Sequence, residues 1–242
     1  MILFVIRQGT KFLAALFFLL SLQNCAPGLQ QENSVSPLIV SVNFSQDVSS
    51  WTGGIADYST ETTPDDVITA QEPLPAPMNG SGFRISGTNE SDDLFIYIKR
   101  QISGLRPRQL YDIEFQVNIV SGVATGCVGA GGSPGDSVWV HAGATSFEPQ
   151  TILQMGDFRV NIDRGNQSMG GSQGVVLGTI ANSKTDCSQS IFEAKLLASH
   201  LINTVTADGA GRVWIHVGID SGFEAYSEIY LQSMNVIFKP SD

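Results

Sequence analysis

The chain has 242 residues, of which 23 are Asp or Glu and 13 are Lys or Arg, a formal net charge of −10. A surface this acidic repels polyanions, which excludes nucleic acid and anionic lipid headgroups as partners. Charged residues are only 15% of the chain, so Gly and uncharged polar residues fill the surface, as is common in exported β-proteins.

The first segment carries Arg7 and Lys11 and no acid before Glu32, and Phe12 to Leu22 is apolar apart from Ser21. Eleven residues are too few for a spanning helix, which needs ~20. They suit the apolar region of a secretory signal; a signal anchor is the alternative. The stretch "LQNC" closes the run at Cys25. It resembles a bacterial lipoprotein signal, in which a peptidase cuts before a diacylated Cys. Leu22 matches that pattern, and Asn24 departs from its usual Gly, Ala or Ser. The resemblance implies a signal peptide over 1–24 and lipidation of Cys25. The chain would then be exported and held in the cell envelope, at the outer membrane or cell surface, because several acyl chains on one residue anchor stably. Cleavage removes two of the 13 basic residues and none of the 23 acidic ones, which takes the net charge from −10 to −12. Residues 25–37 are polar, with two prolines and no periodicity, and read as a flexible tether.

From 38 onward no segment sustains a 3.6-residue period, and alternation at period two recurs. Strands are expected at 38–44, 81–86, 94–102, 110–120, 137–142, 158–162, 174–180, 191–199, 212–219 and 229–238. In "LFIYIKRQI", Leu94, Ile96 and Ile98 take one face while Phe95, Tyr97 and Lys99 take the other. In "LYDIEFQVNIV", Tyr111, Ile113, Phe115, Val117 and Ile119 oppose Asp112, Glu114, Gln116 and Asn118. Residues 192–200, "FEAKLLASH", contain good helix formers, and a helix is the alternative there. Long loops are expected at 45–80, 121–136 and 163–174. The sum is an all-β chain: a single antiparallel β-sandwich domain over 38–242.

The stretch "ISGLRPRQLYDIEFQVNI" resembles the Gly-Leu-x-Pro opening of a Tyr-bearing central strand in jelly-roll carbohydrate-binding modules. "SEIYLQSMNVIF" is similar to their last strand. Where that family carries an acidic pair in the closing strand, this chain has Gln232 and Ser233. The chain also resembles bacterial envelope proteins. The resemblance implies a jelly-roll fold and a glycan or cell-surface polysaccharide as partner.

With Cys25 assigned to lipid, Cys127 and Cys187 remain, an even number in an oxidising compartment. Both lie in polar loops, and a disulfide between them is expected over two separate buried thiols. Cys127 sits in "ATGCVGAGGSPGDS", which packs four glycines into 126–132. A phosphate cradle would need a helix N-terminus behind the loop and a Lys-Ser/Thr pair. Here Asp136 and the strand "VWVHAG" follow, so the glycines serve a tight turn.

The chain repeats itself once, as "VWVHAG" (138–143) and "VWIHVG" (213–218). In each, Trp and His lie two apart and share one face of a strand. Trp139, His141, Trp214 and His216 are therefore the candidate ligand residues, as an aromatic sugar platform or a two-His metal site. The alternative is a second layer of core beneath covering loops. Oxygen-rich loops at "NESDDLF" (Glu90, Asp92, Asp93) and "NIDRGNQ" (Asn161, Asp163, Asn166) offer a calcium site or plain turn capping. Asp112 and Glu114 share a strand face, which solvent explains as well as a glycosidase pair does. No E-x-D-x-x-E and no H-E-x-x-H occurs. Non-catalytic glycan binding by a lipid-anchored envelope protein is expected. An envelope polysaccharide hydrolase or lyase, or a structural surface protein with no small ligand, are the alternatives.

Overall fold

A computed structural model describes residues 36–200 and 203–241. The signal segment, Cys25 and the tether up to residue 35 lie outside them. Seventeen strands follow in order: β1 (Leu38–Asn43), β2 (Thr52–Ala56), β3 (Tyr58–Ser59), β4 (Asp65–Pro73), β5 (Ser81–Thr88), β6 (Leu94–Ile102), β7 (Leu110–Ser121), β8 (Val138–Thr145), β9 (Thr151–Gln154), β10 (Asp157–Val160), β11 (Gly165–Asn166), β12 (Met169–Gly170), β13 (Val175–Thr179), β14 (Glu193–Ala198), β15 (Asn203–Thr206), β16 (Val213–Ser221) and β17 (Tyr226–Pro240). The described residues contain no helix. The expected all-β antiparallel sandwich is what the chain forms.

One sheet has seven strands. Its central pair is β7 and β17; β5 and β1 flank the two halves of β17, β14 and β15 flank the two halves of β7, and β4 is an edge. The other sheet runs β13-β8-β16-β6-β2. Successive strands β5 to β8 alternate between the sheets, as does the step from β16 to β17, so the chain crosses the sandwich repeatedly in jelly-roll fashion. The expected alternation holds. Leu94, Ile96 and Ile98, Val138 and Val140, and Ile215, Val217 and Ile219 meet Ile113, Phe115, Val117, Met234, Val236 and Phe238 in one core. In β17 the register against β7 shifts between Leu231 and Ser233. This bulge resets the alternation, so that Ile229 and Leu231 before it and Met234 and Val236 after it all face inward.

The expectation for 45–80 changes. The region 45–80 is no plain loop but contains β2, β3 and β4. β2 reads "TGGIA", and its glycines are a packing requirement: a Cβ on Gly53 would strike the Thr69 side chain of β4, and one on Gly54 would strike the Tyr97 ring. β4 is an edge strand, mostly exposed on both faces, and so has no hydrophobic alternation to read. Residues 193–198 form the strand expected over 191–199, and the alternative helix does not form. Pairing with Val117, Ile119 and Ser121 of the buried β7 overrides local propensity. The glycine-rich loop holds no anion cradle. Its own Asp136 accepts from Gly126 N–H, Thr125 Oγ1 and Ser133 Oγ. Burial raises this carboxyl, but the three donors outweigh it and hold it below its ordinary range. Gly126 takes φ 75°, which a side chain would resist. Cys127 and Cys187 are joined in a disulfide, with Cα atoms 5.7 Å apart.

Candidate functional site

Strands β8 and β16 are neighbours, with Trp139 opposite Asp220, His141 opposite Gly218, His216 opposite Gly143 and Trp214 opposite Thr145. All four rings therefore lie on the outer face of the five-stranded sheet, on a diagonal from Trp139 through the two imidazoles to Trp214. The indoles are six residues apart along the strands, roughly 20 Å at ~3.3 Å per residue. They are partly exposed, whereas His141 and His216 have no exposed surface.

The histidines are covered because the chain between β8 and β13 (146–174) folds back over this face. Its first half is well fixed. Phe158 and Asp157 of β10 pair with β3, Thr151 donates to Ile55 O, Lys99 donates to Pro149 O, and Val160 packs on the stacked pair Phe95–Tyr97. The second half is held by an ionic cluster. The Arg164 guanidinium, 4.3 Å over the Phe95 ring, binds Asp57 and Asp220. Gln167 N–H donates to Asp220 at 2.5 Å, and the Gln167 carbonyl lies 2.7 Å from His141 Nε2. A carbonyl only accepts, so Nε2 carries the His141 proton.

The electrostatics follow from this enclosure. Burial lowers His141, while Asp220 opposes that shift. Burial, then His141 and Arg164, push His216 down to about 3, so both rings are neutral at pH 7. Asp93 is pushed up to about 7 by burial and by Asp220 and Asp57, against Arg164 and Arg159. Two cavities open beside this cluster. One, of about 290 Å³, is lined by Asp57, Asp93, Gln154, Arg159, Arg164 and Asn166 among others; the other, of about 170 Å³, adds Tyr58, Ser91 and Asp157. They share Asp57, Asp93 and Arg159. Tyr58 and Phe158, both partly exposed, stack at 4.8 Å beside them.

The two oxygen-rich stretches singled out in the sequence do come together here, through arginine and amide groups. Arg159 and Arg164 reach Asp93, and Gln167 Nε2 donates to Asp92 O. Of the trio Asn161, Asp163 and Asn166, the first two are otherwise engaged and Asn166 lines the first cavity. Asn161 Oδ1 accepts from Gln150 N–H, and Asp163 accepts from Gly165 N–H and from Ser172 N–H and Oγ, which is turn capping. Among the described residues no three His, Cys, Asp or Glu side chains group as metal ligands do. Residues 131–135 and 170–174 both spell G-x-S-x-G, but neither forms a strand–turn–helix elbow. Ser133 Oγ donates to Asp136 and Ser172 Oγ to Asp163, with no imidazole partner for either.

Sequence reasoning missed Asp57, Arg159, Arg164 and Asp220. One signal was present: stepping by two from Trp214 and His216 passes Gly218 and reaches Asp220.

No protein-family model matches the chain, and no curated protein does. Among solved structures it is similar to a carbohydrate-binding module described for specific mannan recognition (12% identity, 86% of this chain and 100% of that one, TM-score 0.40). It is similar to a family 11 carbohydrate-binding module of a cellulosomal cellulase of Clostridium thermocellum (10%, 86% and 97%, TM-score 0.39). A cleaved adhesin domain of Lys-gingipain from Porphyromonas gingivalis is a third (9%, 84% and 99%, TM-score 0.38).

Proposed function

We propose that the chain is a non-catalytic glycan-binding module of the cell envelope, held to the membrane by lipid on Cys25. The observation that supports glycan binding is the pair of cavities flanking Arg159. A stacked, partly exposed Tyr58–Phe158 pair offers an apolar ring face, on which the C–H face of a sugar packs. Carboxyl, guanidinium and amide groups beside it supply acceptors and donors for hydroxyls. Lipid anchoring is supported by the apolar run 12–22 ending at Cys25 and the polar tether after it.

The test is calorimetry of the mature chain against linear mannose, xylose and mixed-linked glucose oligosaccharides, beside a broad glycan array. Tyr58→Ala is expected to weaken binding about tenfold, or ~1.4 kcal/mol, with the fold intact. Absence of binding to every glycan on the array overturns the proposal.

One observation favours a second reading. Asp93, pushed up to about 7, is a proton donor near neutrality beside the carboxyl of Asp57, the pairing that glycoside hydrolysis uses. New reducing ends on incubation with these oligosaccharides, lost in Asp93→Asn, would establish an enzyme in place of a binder.

A further inference from the structure

Residues 163–174, "DRGNQSMGGSQG", cover the two histidines without using the hydrophobic effect. Their one large apolar side chain is Met169, which is 67% exposed. The segment is held to the sheet mainly by polar contacts, Arg164 to Asp57 and Asp220, Gln167 to Asp220, His141 and Asp92, and Asn203 to Ser172 O, together with the packing of the Arg164 guanidinium on the Phe95 ring. Segments with few buried apolar contacts open locally at low free-energy cost.

What lies beneath is poorly satisfied. Among the described residues eight buried side-chain polar atoms lack a hydrogen-bond partner, and five belong to this cluster: His216 Nδ1 and Nε2, His141 Nδ1, Arg164 Nε and Asp93 Oδ1. Buried polar groups are ordinarily paired, and a concentration of unpaired ones calls for an explanation. The inner surface of a permanent core would favour an apolar side chain at position 216. A neutral imidazole instead offers one donor and one acceptor, the complement of a hydroxyl group. The diagonal also ends in an indole on each side, beyond the histidines, where a ring can stack on a sugar.

We propose that residues 163–174 are a lid, latched by Arg164 and Gln167 on Asp220, and that the face beneath it binds a linear neutral oligosaccharide along the line Trp139–His141–His216–Trp214. This rests on the glycan reading given above and extends it: the chain enters at the mouth beside Arg159, which Arg164 of the lid also lines, and continues under the lid. Neutral sugars fit because both imidazoles are uncharged and Asp220 repels an anion.

Hydrogen exchange on the mature protein, with calorimetry against the same mannose, xylose and glucose oligosaccharides, tests this. Without sugar, amides of 163–174 are expected to exchange about a hundredfold faster than those of 138–145 and 213–221. Asp220→Asn is expected to speed the lid a further tenfold and to tighten oligosaccharide binding, because a larger open fraction raises apparent affinity. His216→Leu covers the case in which Asp220→Asn fails to fold. It is expected to slow lid exchange and to weaken binding about tenfold, whereas a merely structural histidine would leave binding unchanged. Lid amides as protected as the strands overturn the proposal. So does binding that responds to Tyr58→Ala but not to His216→Leu, an outcome that leaves the mouth and the proposed function standing. No binding at all removes both.

Discussion

His216 is a fully buried imidazole with no hydrogen-bond partner, held at about 3 by burial, His141 and Arg164. Lys99, Tyr97 and Asp220 share its face of the sheet. Its folded value lies below the unfolded one, so its stability contribution is complete above pH ~6.5 and is lost as pH falls toward 3, at about 1.4 kcal/mol per pH unit. Asp93 works in the opposite sense. Raised from 3.8 to about 7, its contribution is complete below pH ~3.8 and is lost as pH rises toward 7. Between pH ~4 and 6.5 the two slopes oppose each other. Urea midpoints across that range are expected to be flatter in the native chain than in either variant. Asp93→Asn should lose stability steeply in acid, and His216→Leu should be most stable in acid. Parallel profiles for all three would contradict the burial of these groups.

At the scale of the element, the loop 122–136 and the edge strand β2 show two ways of placing backbone without a helix or a strong hydrophobic pattern. The loop folds around Asp136 and is tied to the segment 182–190 by the Cys127–Cys187 disulfide, which spans 60 residues. In the chain-entropy account a closure of that length contributes ~4 kcal/mol. The double replacement Cys127→Ala, Cys187→Ala is expected to lower unfolding free energy by about that amount, with the fastest new proteolytic cuts inside 122–136. A loss below ~1 kcal/mol would mean the loop is held without it. β2 depends on the absence of side chains at Gly53 and Gly54. Gly53→Val must displace Thr69, and overpacking of this kind costs ~1–3 kcal/mol. Gly80, which has open space around it, serves as the control through Gly80→Asn, a residue that tolerates positive φ. An unchanged denaturation midpoint for Gly53→Val would refute the close approach.

For the whole molecule, the strongest expectation beyond the fold concerns Cys25. Cys25→Ser is expected to move the protein from the membrane fraction to the soluble fraction, and intact mass of the native product should show acylation at an N-terminal Cys25. A mature N-terminus elsewhere rules out the anchor. The sandwich itself was legible along the chain because sheet packing imposes period two. The inward rows Leu94–Ile96–Ile98 and Tyr111–Ile113–Phe115–Val117–Ile119 appear in the structure as read, and the Cys127–Cys187 disulfide matches the pairing expected of two loop cysteines. Strand β4, open on both faces, left no such trace, and at 193–198 helix-forming residues left a helix open as the alternative to the strand that pairing with β7 selects. The W-x-H echo correctly placed four rings on one face, since that is a local consequence of strand geometry. Whether that face meets solvent is decided by residues far away in sequence. Arg164 and Gln167 bridge to Asp57 and Asp220 across 107 and 53 positions. Periodicity reports the direction in which a side chain leaves its own strand. What covers it is set by where the rest of the chain returns, and here a buried ion cluster with no local pattern determines that return.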